Sequence, residues 1–289
     1  MSEQQPGQEA SFDGQVIWIT GASSGIGEAL VRSFAKRGAR IVLSARREPE
    51  LRRVQAACVS EGLSADNLLV LPLDVVDYDA MPAAVAAVLD KFSRIDMLIN
   101  NAGMSQRSFC IDTDMQVYRS LFEVDVLGQI ALTKAVLPVM VEQGTGRLVV
   151  TSSLAGKFGA PQRTGYCAAK HAVMGFFDAL RTEVAHLGIR VSTVVPGFIR
   201  TNIARNALTG TGEVKGRAEA DIDGGMDVTL CSEFVVAALA RGEEEIPVGE
   251  GNEMSLLDLK REDPEKLFRT MEQMADLVRA GGGAGEEQG

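Results

Sequence analysis

Along most of the chain, short runs of β-branched residues and leucine alternate with stretches whose apolar positions recur at helical spacing. The runs centre on Trp18, Val42, residues 68–73, Leu98, Val149 and residues 191–195, with a last candidate at Ile246 and Val248. Runs that are apolar throughout, rather than at every second position, suit strands buried on both faces, which means a parallel sheet with helices above and below it. The right-handed crossover rule then makes residues 13–250 a single α/β domain built on a doubly wound parallel sheet. Ligands of such sheets bind beyond the carboxyl ends of the strands.

Two helical stretches carry apolar residues around most of their circumference. Between residues 115 and 141 these include Val117, Leu121, Leu127, Ile130, Val136 and Val139, and between residues 168 and 184 they include Val173, Phe176, Phe177 and Leu180. One sheet covers one face, so a second subunit is expected over the outer faces, in a homodimer or homotetramer; cover by the chain's own loops is the alternative. No uninterrupted apolar run approaches the length of about 18 residues that a membrane helix needs, so no membrane anchor is expected. Residues 202–229 break the alternation with glycines and charged residues, and a connection of that length reads as a functional loop. Ile203, Leu208, Val214 and Met226 make it a candidate lid over an apolar substrate. Residues 251–280 form a helical extension opened by Asp263 and Pro264, amphipathic through Leu267, Phe268, Met271, Met274, Leu277 and Val278. It docks either over the active site or against another subunit. Residues 1–12 and 281–289 read as polar tails.

With 46% apolar and 24% charged residues the composition is that of a globular protein, so disorder is confined to those tails. A formal charge of -10 argues against nucleic acid and anionic lipid as partners. Cys58, Cys110, Cys167 and Cys231 show no paired spacing, and the amino-terminal residues lack the pattern of a secretory signal. A reducing, cytoplasmic compartment is the expectation. His171 and His186 are the only histidines, so no metal site is expected.

The first run leads directly into Thr20, Gly21, Ala22, Ser23, Ser24, Gly25, Ile26 and Gly27, and a helical pattern follows. Glycines there let the backbone turn tightly and approach a pyrophosphate, while free amides and the helix dipole attract its charge. The spacing is GxxxGxG, and its place between first strand and first helix marks the nucleotide-binding turn of a Rossmann fold. The second run ends in Ser44, Ala45, Arg46 and Arg47, near the place where an NAD site carries an acid for the ribose hydroxyls. Arg46 in place of that acid can grip a 2'-phosphate, with help from Ser23, so NADP(H) is expected rather than NAD(H). The alternative puts Arg46 and Arg47 at the solvated start of the next helix.

Tyr166 and Lys170, four residues apart at the start of a helical stretch, emerge on one face, and Ser153 follows a strand end thirteen residues before the tyrosine. A phenol has an ordinary pKa of about 10, and a nearby ammonium lowers it by about 1–3 units, towards the range of a proton shuttle. A YxxxK pair alone is more often a helix surface; the glycine turn and the serine give this one its weight.

Taken in order, the chain resembles the short-chain dehydrogenase/reductase family over about residues 14–250. The resemblance is carried by the glycine turn, by Asp74 after the third run, by Asn100, Asn101, Ala102 and Gly103, by Ser153, by Tyr166 with Lys170, and by Pro196, Gly197, Phe198, Ile199, Arg200 and Thr201. Residues 165–179 and 197–208 are most similar to the subgroup called dehydrogenase/reductase member 7 and 7B, whose animal members are membrane-anchored. The resemblance implies hydride transfer between nicotinamide and a carbonyl or carbinol carbon, without a metal. It implies that Asp74 and Val75 hold the adenine side, that Asn101, Ala102 and Gly103 line the ribose, and that Pro196 and Gly197 belong to the cofactor site with Ile199 and Thr201, which hold the carboxamide. Ser153 would position the substrate oxygen, Tyr166 would pass its proton, and Lys170 would bind the nicotinamide ribose. Cys167 is expected to be a small buried residue and His171 a surface or subunit contact.

One position departs from the family. Asp125 stands where the family has the asparagine that holds a water between the lysine and solvent. An ionised carboxylate cannot donate, and its charge offsets that of Lys170, which predicts a more alkaline optimum for oxidation; alternatively, Asp125 lies outside the relay. The leading expectation is an NADP(H)-dependent carbonyl reductase or secondary-alcohol dehydrogenase for a moderately apolar small molecule. Its rivals are a non-catalytic NADP(H) sensor, which the intact Ser153, Tyr166 and Lys170 argue against, and an epimerase or dehydratase that retains its cofactor.

Overall fold

The computed structural model describes residues 11–282. Seven parallel strands form one sheet in the order β3-β2-β1-β4-β5-β6-β7. They are β1 Val16–Thr20, β2 Arg40–Ser44, β3 Leu68–Val70, β4 Met97–Asn100, β5 Gly146–Thr151, β6 Ile189–Pro196 and β7 Glu245–Val248. The strand order reverses between β1 and β4, which is the switch point at which a doubly wound sheet opens a crevice.

Alternate residues of one strand feed opposite layers. Ile17 and Ile19 of β1 pack with Leu30 and Phe34 of α1 (Gly25–Ala35), Val54 of α2 (Glu48–Ser60) and Val235 of α8 (Val228–Ala240). Val16 and Trp18 face the other way, into a layer with Val88 of α3 (Met81–Phe92), Val136 of α5 (Gly128–Gln143) and Phe177 of α6 (Thr164–Val184). Trp18 is fully buried in this layer, and its Nε1 is satisfied there by donating to Ser44 Oγ at 2.8 Å. Truncating a buried ring such as Phe177 to alanine costs about 3–5 kcal/mol.

The structure moves several sequence boundaries. Phe12 is no part of a tail: its ring meets Phe34 edge-on at 4.9 Å and its amide donates to the Arg37 carbonyl. Residues 1–10 and 283–289 of the two expected tails lie outside the described residues. β3 ends at Val70 because Pro72 has no N–H for the ladder, although the Leu71 and Leu73 amides still donate to Leu43 and Ala45 carbonyls. The stretch Met115–Gln143 is α4 (Met115–Phe122), one wide π-type turn (Glu123–Leu127) and α5. By length and composition it could cross a membrane, which counting uninterrupted apolar runs does not reveal. Here it packs inside the fold, with Val117, Leu121, Leu132, Val136 and Met140 buried and only Met115, Leu127 and Val141 of its large apolar residues exposed. The chain itself therefore covers much of the circumference assigned to a second subunit.

Residues 202–229 are mostly turns, tied to the body by bridges from Gln106 to Leu208 and from Ile199 to Met226, and they contain one short helix, α7 (Ala220–Asp223). Met226, half-buried, packs against the sheet core. After β7 come α9 (Ser255–Glu262) and α10 (Pro264–Gly282). Leu267 of α10 is buried among Leu154, Phe158, Met174 and Val195, so the extension docks on its own domain near the carboxyl ends of the strands.

Candidate active site

At the end of β1, Gly21 takes a φ of +66°, and a Cβ on Gly27 would lie 2.2 Å from the Gly21 carbonyl oxygen. Only glycine lets the turn form and α1 start so close to the strand. Ser24 precedes α1 without a side-chain cap, which leaves the first amides of the helix for a ligand. Gly21, Ser23, Ser24, Gly25 and Ile26 line a cavity of about 1650 Å3, while Gly27 lies behind them as a packing residue. That exceeds a usual small-molecule site of about 300–1,000 Å3 and accommodates a dinucleotide together with a second molecule.

The Thr20 hydroxyl accepts the amides of Asn101 at 2.9 Å and Ala102 at 3.0 Å, and Asn101 Nδ2 donates back to the Thr20 carbonyl at 3.1 Å. These bonds fix Asn101, Ala102 and Gly103 against β1, where all three line the cavity. Asp74 and Val75 line it from the end of β3, with Asp74 Oδ1 accepting the Val76 amide at 3.2 Å. Arg46 and Arg47 line it from the end of β2, both exposed and neither in an ion pair among the described residues. Arg53, which sequence reasoning missed, is already engaged by Glu28 and Glu50 and donates to the Ser23 carbonyl at 3.1 Å. The glycine cradle, uncapped helix start and cavity size together fit a nicotinamide dinucleotide.

Opposite chemistry gathers on α6. Tyr166 and Lys170 line the same cavity from its first turns, with Lys170 Nζ 5.6 Å from the centroid of the tyrosine ring. Lys170 is buried and donates to the Thr151 carbonyl at 3.1 Å. Ser153, on the turn after β5, lines the cavity and accepts the Ala155 amide at 3.1 Å. Pro196, Gly197, Ile199 and Thr201 line it from the end of β6, and the Phe198 amide among them donates to Glu253 at 3.0 Å. Burial pushes the Cys167 thiol above its ordinary value, the opposite of a reactive thiolate. His171 is exposed and its Nδ1 lies 2.8 Å from the Cys167 carbonyl oxygen.

Asp125 sits in the wide turn before α5, fully buried and behind Lys170 rather than on the cavity wall. Its Oδ1 accepts the Met104 amide at 2.7 Å, and its Oδ2 lies 3.7 Å from Lys170 Nζ with no hydrogen-bond partner. Burial pushes its carboxyl above the ordinary carboxylate range, against the pull of Lys170 and the Met104 amide. The charged form is thus disfavoured at this position, and the protonated form has an O–H to donate.

A second charged group was not visible in the sequence. Arg107, Arg163 and Lys215 converge on Glu219 next to α7, and the two arginines line the cavity near Tyr166. Their positions are 56 and 112 residues from Glu219, so no motif joins them. Ile203, Leu208 and Val214 of the 202–229 segment and Met271 and Met274 of α10 close the apolar part of this end.

A family model described as short chain dehydrogenase matches residues 15–211. The human protein named dehydrogenase/reductase SDR family member 7 is 45% identical over 237 residues, spanning 81% of this chain and 70% of that one. A short-chain dehydrogenase/reductase from Burkholderia phymatum, solved in complex with NAD, superposes with a TM-score of 0.78 at 26% identity, over 88% of this chain and 95% of that one. A metagenomic short-chain oxidoreductase in complex with NADP gives 0.66 at 28% identity, over 82% and 96%.

Proposed function

The chain belongs to the short-chain dehydrogenase/reductase family, and from that premise we propose that it is an NADP(H)-dependent oxidoreductase acting on a carbonyl or secondary alcohol. One observation carries this: Tyr166, Lys170 and Ser153 line a single cavity with the glycine cradle. A bound nicotinamide would supply or accept the hydride there. Ser153 orients the substrate oxygen, and Tyr166 exchanges a proton with it. Lys170, pinned by the Thr151 carbonyl, holds positive charge where negative charge develops on the phenol oxygen as the proton leaves. Ile199 and Thr201 face the nicotinamide end, and Asp74 and Val75 the adenine end.

NADP(H) is supported by Arg46 and Arg47, the two cations at the adenine end that no carboxylate among the described residues neutralises, and by the lack of an acid at the end of β2. A panel of ketones followed by absorbance with NADPH and NADH in parallel tests both parts. NADPH should be preferred, and Arg46→Asp should move the preference towards NADH. Equal use of the two coenzymes would remove the cofactor assignment. Coenzyme binding with no turnover would favour a sensor, and product formed without net coenzyme consumption would favour an epimerase or dehydratase.

A homodimer or homotetramer belongs to the same proposal, supported by Leu127 and Val141 at the ends of α5 and by Leu230 and Phe234 on α8, all exposed. Light scattering at the mass of one protomer would rule it out. A cytoplasmic location is supported by the free cysteines Cys58, Cys110, Cys167 and Cys231, and fractionation of cells producing the chain checks it.

A further inference from the structure

The substrate end of the cavity holds more positive charge than its inner carboxylate neutralises. Glu219 accepts from Arg107 Nε at 2.6 Å and from Lys215 Nζ at 2.5 Å on one oxygen, and from Arg163 Nη2 at 3.3 Å on the other. Three cations sharing one carboxylate leave a formal excess of two positive charges. This excess is not at the surface: the side chains of Arg107 and Arg163 are 6% and 18% exposed. Arg163 Nε is buried with no partner, and burial together with Arg107 presses its guanidinium below its ordinary pKa. Buried cations in this state are stabilised by another anion. Neighbouring carboxylates do not serve: Glu253 is bonded to the Phe198 amide and Asp221 is exposed. Apolar side chains share that end with them, with Leu154, Phe158, Leu208, Met271 and Met274 on its wall beside the polar Ser105 and Asn206.

We infer that the substrate is an amphipathic carboxylate: an apolar carbonyl or carbinol compound whose carboxylate docks on Arg163 and Arg107 while its reacting oxygen lies at Ser153 and Tyr166. The inference rests on the oxidoreductase reading and names its substrate class. A planar guanidinium fork matches a carboxylate in two parallel hydrogen bonds, and the arginines reach the cavity wall where the lysine does not. The carboxylate itself is unchanged in the reaction. In the reducing direction the carbonyl carbon gains two electrons as a hydride from the dinucleotide, and its oxygen gains one proton from Tyr166.

Titration calorimetry on the full chain, with and without NADP+, compares 4-phenylbutyrate with its methyl ester. The acid is expected to bind at least about 10-fold more tightly, the worth of a charge-assisted contact. Arg163→Gln should bring the two within about 3-fold, and Arg163→Lys, which keeps the charge without the fork, should fall between. Should Arg163→Gln fail to fold, Glu219→Gln removes the competing carboxylate and should widen the acid's advantage. The proposal is overturned if the acid binds no better than the ester in the wild type, or if its advantage is unaffected by both Arg163→Gln and Glu219→Gln. Turnover of a matched keto acid and keto ester is a separate arm. An ester consumed as fast as its acid sinks the carboxylate site alone. If neither is consumed while the acid still binds selectively, the oxidoreductase reading fails and the anion site stands.

Discussion

Asp125 and Glu219 are two carboxylates serving one cavity from different regions, and they end on opposite sides of the ordinary carboxylate range. Asp125, behind Lys170, is fully buried with one amide hydrogen bond and an ammonium 3.7 Å away, and desolvation wins: its carboxyl is pushed up. Glu219, beside α7, is also pushed up by burial, but hydrogen bonds from Arg107 and Lys215 and the charges of Arg107 and Arg163 outweigh this and hold it at about 2. The difference teaches that burial alone does not set the sign; the number of charged donors within bonding distance does. The region behind Lys170 therefore holds a carboxyl whose charged form burial disfavours, and the region beside α7 holds one whose charged form its cations favour.

Removing Tyr166, the proton donor of the proposed reaction, should have the largest effect. Tyr166→Phe is expected to lower kcat on the order of 10²- to 10⁴-fold while calorimetric coenzyme binding persists; more than a tenth of wild-type turnover would dissociate both regions from the chemistry. Lys170→Met strands Asp125 without a cation and should cost about 3–5 kcal/mol in urea unfolding at about pH 8. The cost should shrink as pH falls, because protonation removes the stranded charge, and a cost that does not change with pH would break the contrast.

Glu219 tests the other region. A folded-state pKa of about 2 against the 4.5 of a free glutamate means stability that is complete above the free value and lost as pH falls towards 2. The amount is at most about 3 kcal/mol, at about 1.4 kcal/mol for each pH unit between the two values. Glu219→Gln should lack that amount at neutral pH and converge on wild type in strong acid, whereas parallel stability curves would show that the ion cluster contributes nothing. Asp125→Asn should give the smallest change. It removes a carboxyl that gains negative charge next to Lys170 as pH rises, so the optimum for oxidation should move to lower pH by about one unit or less. Superimposable pH–rate profiles would take Asp125 out of the relay.

The sheet was legible because its central strands are largely continuous apolar runs, as in β1 and β4, and hydrophobic patterning is a local property of the chain. The glycine turn and the Tyr166 and Lys170 pair were legible for the same reason, since a tight turn and one face of a helix are both set by residues a few positions apart. Phe12 was misread as tail because its burial comes from Phe34, across a strand and a helix. Where Met115–Gln143 runs, the pattern showed an apolar cylinder but not what covers it. Of the two carboxylate regions, the neighbourhood of Asp125 and Lys170 was reached only through the family resemblance, and the Glu219 cluster was not reached at all. Asp125 meets Lys170, and Glu219 meets Arg107 and Arg163, only where separate elements converge beyond the carboxyl ends of the strands. Spacing along the chain carries no trace of such meetings, because charge and desolvation act through distance in space; there the tertiary fold, not the order of residues, chose which carboxylate yields to burial and which stays charged.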